Sequence, residues 1–115
     1  MKNIQTVVKV LIALFLLIAV CVHIAGLFMH VSEEGILSHI VHLLSYSACL
    51  FTFLRPVKFR LIIYLLAAVY PVFYHARCFF TQLFELYKFN SICFEVIVLL
   101  PLAAVIIRQN EKRPA

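Results

Sequence analysis

Four apolar runs dominate this chain, at about 10–29, 36–54, 61–80 and 92–107. The first three approach the roughly 20 residues with which a helix crosses a hydrocarbon core, and the fourth is shorter. Hydrophobic residues make up 65% of the 115 positions and charged residues 13%. Ordinary soluble domains are roughly 45–50% apolar and about 25% charged. A chain this small buries only around two thirds of its surface on folding, so a soluble core cannot hide so much apolar area. A β-barrel would need alternating segments of about ten residues, and none is visible. The expected fold is therefore all-α: an integral membrane bundle of four transmembrane helices, forming one domain over 1–115.

The N-terminus has the opening of a signal peptide, with Lys2 and Lys9 before an apolar stretch. That stretch runs from Val10 to Met29, longer than a typical signal core, and lacks a clear small-residue cleavage site. It is expected to be retained as the first span. Short links at 31–35 and 55–60 force successive helices to run antiparallel. The stretch 81–90 mixes Phe84, Tyr87 and Phe89 with Glu85 and Lys88. Such a mixture suits the headgroup level, or an extension of the short fourth span. Pro71 and Pro101 fall inside spans, where each removes a backbone hydrogen bond and should kink its helix.

Orientation follows from the basic residues. Lys2, Lys9, Arg55, Lys58, Arg60, Arg108, Lys112 and Arg113 fall on one side of the expected bundle, and only Arg77 and Lys88 on the other. By the positive-inside rule both termini and the 55–60 link are cytoplasmic. The net charge of +5 is thus explained by topology, and no nucleic-acid partner is expected. The expected setting is a cell membrane crossed several times, of the bacterial cytoplasmic kind given the small size and charge asymmetry. The expected partners are the lipid bilayer and, because four short spans make a thin bundle, a second copy or a larger membrane complex.

With this orientation all five histidines lie in the outer half. His23 and His42 fall about 9 Å below the outer surface on antiparallel neighbours, and His30, His39 and His75 lie nearer to it. Glu95, the only carboxylate inside a span, sits about one turn into the fourth helix from the same side. Ala19, His23, Gly26 and His30 share one face of the first helix. Ser38, His42, Ser45, Cys49 and Thr52 share one of the second, and Tyr64, Ala68, Pro71, His75 and Cys78 one of the third. Small and polar residues mark helix–helix contacts in membranes, so the histidines should meet inside the bundle. An intramembrane carboxylate is costly, roughly 2.5–3.5 kcal/mol on insertion scales, and therefore a functional candidate.

His23, His42, His75 and Glu95 are accordingly the expected metal or proton-relay site, with His30, His39 and Arg77 secondary. Imidazoles at one depth with a carboxylate suit Zn, Cu or Fe. Two imidazoles can also hold haem iron axially, and titrating His and Glu can couple protons to movement of a small solute. Each residue also has a plainer role. His30 and His39 can anchor at the interface, His23 and His42 can hydrogen-bond between helices, and Arg77 can snorkel. In that plainer account the chain is a non-catalytic accessory or assembly subunit of a larger complex. Cys78 and Cys93 flank the outer connection and are candidates for a disulfide. Cys49 reads as a buried thiol, and Cys21 points about 160° away from His23.

Catalysis is disfavoured. The chain contains no Asp for a Ser–His–Asp set and no Gly-rich phosphate loop. The topology is tested by labelling single cysteines with an impermeant thiol reagent. Positions 32–35 and 81–90 should label from outside, and outside labelling at position 57 would reverse the orientation.

Overall fold

The computed structural model describes residues 2–29, 36–81 and 90–112. Among them four helices form and no strand: α1 (Lys2–Met29), α2 (Ile36–Leu54), α3 (Arg60–Thr81) and α4 (Asn90–Lys112). Each contains a segment long and apolar enough to cross a membrane. The second and third match the expected runs within a residue or so. The other two outrun them: α1 starts at Lys2, well ahead of Val10, and α4 has 23 residues. The fourth helix gains its length from Arg108, Gln109, Asn110, Glu111 and Lys112 at its C-terminal end. Most of these are strong helix formers, so the helix does not stop where hydropathy does. Both prolines lie within helices that continue past them, Pro71 buried and Pro101 exposed.

A tight turn at 55–59 joins α2 to α3. The Arg55 amide donates to the Phe51 carbonyl at 2.9 Å, and the Val57 amide to the Arg55 carbonyl at 3.0 Å across Pro56. Phe59 takes a left-handed backbone conformation, φ 58°, which bulky residues seldom adopt. Its carbonyl then accepts the Ile63 amide at 3.0 Å, starting α3. Arg60 reaches back so that Nε and Nη2 donate to the carbonyls of Thr52 and Phe53. A cation placed on the last carbonyls of a helix satisfies orphan acceptors and complements the dipole. The guanidinium therefore clamps the end of α2 to the start of α3.

α2 packs against both α1 and α3, and α4 lies on α3 and touches α1 only briefly. The core combines Ile12 and Leu16 of α1, Tyr46, Cys49 and Phe53 of α2, Tyr64 and Ala68 of α3, and Val96, Leu100, Ala103 and Ile107 of α4. Large apolar side chains also cover the outside, among them Phe28, Leu37, Leu66 and Phe73. The longest dimension is 45 Å, comparable with a bilayer including its headgroups, about 40–45 Å. One polar strut crosses the core: the buried Tyr64 hydroxyl donates to the Leu100 carbonyl at 2.9 Å, next to Pro101. Tyr64→Phe should weaken the α3–α4 contact by about 0.5–1.5 kcal/mol, read as a lower melting temperature of the purified chain. Leu100→Ala, which opens a cavity, should cost more, about 2–5 kcal/mol. A Tyr64→Phe variant as stable as the parent would remove the strut from the account.

Candidate functional site

At the end of the bundle away from the 55–59 turn, α1, α2 and α3 bring together four imidazoles. His23 comes from α1, His39 and His42 from α2 and His75 from α3. His42 is fully buried, and His23 and His39 nearly so. The ring of His42 stacks on His23 with centroids 4.7 Å apart and planes 12° from parallel. It meets His75 edge-on at 5.4 Å. Tyr70 and Tyr74 approach it at 4.8 and 4.7 Å, and Tyr46 at 5.9 Å. His42 is thus walled by aromatic faces and edges from three helices.

The hydrogen bonds assign protons to particular nitrogens. The Nδ1 of His42 lies 3.0 Å from the Ser38 carbonyl, and that of His75 lies 2.7 Å from the Pro71 carbonyl. A carbonyl only accepts, so both Nδ1 atoms carry hydrogen, and Nε2 is the basic nitrogen of each neutral ring. The Ser38 hydroxyl lies 3.3 Å from His42 Nδ1 and 3.2 Å from the Tyr70 hydroxyl, tying α2 to α3. His23 and His39 differ. Their Nδ1 atoms face each other at 3.0 Å, so one nitrogen must carry hydrogen and the other must not. The pair holds a single hydrogen between two imidazole nitrogens.

Gly26, one turn beyond His23, makes this approach feasible. A Cβ at that position would lie 2.5 Å from Cε1 of His39 and 2.8 Å from both ring nitrogens. The His39 ring therefore lies against the backbone of α1, in space that only glycine leaves open.

The arrangement departs from the sequence expectations at two residues. His39, ranked as secondary and assigned an interfacial alternative, is buried and hydrogen-bonded to His23. Glu95 is exposed on the flank of α4, whereas the imidazole contacts join α1, α2 and α3. The face that α4 buries is Val96, Leu100, Ala103 and Ile107; Glu95, one residue earlier, is turned about 100° at helical pitch. His75 sits half-buried at the edge of the cluster, and Arg77 is exposed. His30 lies outside the described residues. Cys78 and Cys93 are thiols on the adjacent helices α3 and α4, Cys21 is exposed and Cys49 is buried. The three tyrosines were not singled out from sequence. Their signal was there: Tyr70 and Tyr74 are one turn apart ahead of His75, and Tyr46 is one turn beyond His42.

Among the described residues no group of three or more His, Cys, Asp or Glu is arranged to hold a metal ion. Comparison with known protein families, with curated proteins and with solved structures finds no match to the chain. Gly26→Ala tests the geometry directly. The added methyl should displace the His39 ring and break the His23 bond at a modest cost of about 1 kcal/mol. Nitrogen NMR of the imidazoles in the intact protein would show the loss of the shared proton. An unchanged spectrum would mean that glycine is not what sets this contact.

Proposed function

We propose that the chain is a four-helix integral membrane protein, with both termini and the 55–59 turn cytoplasmic, whose buried histidines relay protons in the outward half of the bundle. Proton movement of this kind suits coupling to the passage of a small solute. The membrane setting is supported by four long apolar helices whose outward side chains are themselves apolar. The orientation rests on the eight-to-two distribution of Lys and Arg residues.

The relay rests on one observation, the His23 Nδ1 to His39 Nδ1 contact of 3.0 Å. Consider the state in which His39 holds the shared hydrogen. A proton binding at Nε2 of His39 releases its Nδ1 proton to Nδ1 of His23, and the Nε2 proton of His23 departs. One proton enters and one leaves, with both rings now in the opposite tautomer. His42 is built differently. Its Nδ1–H is committed to the Ser38 carbonyl, so it positions the pair by stacking and does not pass protons through both nitrogens.

Metal or haem ligation is a second reading, favoured by the tautomers of His42 and His75. An imidazole whose Nδ1–H is held by a carbonyl presents a basic Nε2, the arrangement seen in ligating histidines. Zn, Cu or Fe held there would need further ligands from outside the described cluster. The accessory-subunit reading is favoured by Glu95, whose exposed carboxylate on an apolar helix suits a polar group on a second copy or a larger complex.

Proton flux into vesicles reconstituted with the purified chain separates these readings. Under a pH gradient the parent should carry protons well above empty vesicles. His23→Gln and His39→Gln should each reduce this flux by about tenfold or more, a change of about 1.4 kcal/mol in barrier. His42→Gln should reduce it less. Flux unchanged in the His23→Gln/His39→Gln double variant would end the relay reading. Metal in the purified protein, lost on replacing His42 and His75, would favour the second.

A further inference from the structure

At the opposite end of the bundle from the histidines, a second feature lies where α1 and α4 barely meet. Two cavities open there, of about 330 and about 170 Å³, and they share Lys9, Ile106 and Asn110 as lining. The larger also takes in Arg60 and the apolar side of Phe53, and the smaller takes in Gln5. Among the described residues no Asp or Glu lines either cavity.

Arg60 is held in place. Two of its nitrogens donate to the last carbonyls of α2, and a guanidinium has five N–H groups, so three remain for another acceptor. Lys9 supplies a second, half-buried cation from α1, and Asn110 an amide from α4. Above these polar heads the walls are hydrocarbon. A cationic floor at the end of an apolar cleft has the polarity of an amphiphile, with an anionic head and an apolar tail. Basic pockets between helices at the cytoplasmic face suit anionic lipid headgroups.

We propose that the cleft between α1 and α4 binds the phosphate headgroup of an anionic phospholipid, with Lys9 and Arg60 as its cationic contacts. The acyl chains lie along the apolar walls toward the middle of the bundle. This inference depends on the membrane setting and not on the histidine relay, so either can fail without the other.

Native mass spectrometry of the full chain released from detergent micelles tests it, with phosphatidylglycerol and phosphatidylcholine of identical acyl chains as probes. The parent should retain phosphatidylglycerol over phosphatidylcholine by about tenfold or more, equivalent to about 1.4 kcal/mol. Lys9→Gln should remove most of that preference and Lys9→Arg should keep it. Arg108→Gln, which removes an exposed charge at the same end but outside the lining, should leave it intact. Excess inorganic phosphate should not displace the lipid, because it lacks the tail that the walls accept. Equal retention of the two lipids by the parent would overturn the proposal. So would an equal loss in Arg108→Gln, which indicates unspecific attraction, or displacement by inorganic phosphate, which indicates a soluble anion.

Discussion

The close approach of α1 and α2 at Gly26 is what the histidine end depends on. Without a side chain there, the His39 ring reaches the backbone of α1 and its Nδ1 meets that of His23. His23 is then oriented for stacking on His42, and His42 in turn touches the tyrosines and His75 of α3. One missing methyl thus connects three helices. Buried imidazoles are costly unless their nitrogens find partners, and here a facing ring or the helix's own carbonyl bonds the Nδ1 of each.

The cluster contains two kinds of histidine with different capacities. His42 and His75 each bond to the carbonyl four residues earlier on their own helix. That local bond fixes the tautomer whatever the neighbouring helices do. His23 and His39 depend on each other, and a proton on both Nδ1 atoms would set N–H against N–H. The fixed rings serve as a wall and the paired rings as the adjustable part.

Much of this was legible in the sequence, and the exceptions have physical causes. The apolar runs located α2 and α3 closely, because there the helices end where the hydropathy does. They fell short for α1 and α4, whose polar ends continue as helix on backbone propensity alone. The contact faces of α1 and α3 were readable from Gly26, His23, Ala68 and Pro71. On α2 the expected face of Ser38, His42, Ser45, Cys49 and Thr52 is buried at His42, Cys49 and Thr52, whereas Ser38 and Ser45 are half-buried and His39, Tyr46 and Phe53 complete the buried line. Close approach needs a small residue on only one of two facing helices. Gly26 supplies it, so α2 can present large rings in return. Glu95 misled for a related reason. Cost argues that a carboxylate on an apolar helix is unusual, but it does not say which face of the helix carries it, and Glu95 lies on the exposed flank of α4.

The brief contact between α1 and α4 gives the bundle a direction of least stiffness. α2 and α3 are fastened by a turn and an arginine clamp, and α4 is fastened to α3 by the Tyr64 strut. No comparable fastening joins α4 to α1 among the described residues, so the four helices form an open C rather than a closed ring. Local openings begin where packing is thinnest. The thin seam between the first and last helices is therefore where the bundle resists deformation least, and the α1–α2–α3 wall is where it resists most. The four described imidazoles, His23, His39, His42 and His75, belong to the α1–α2–α3 side and not to the gap.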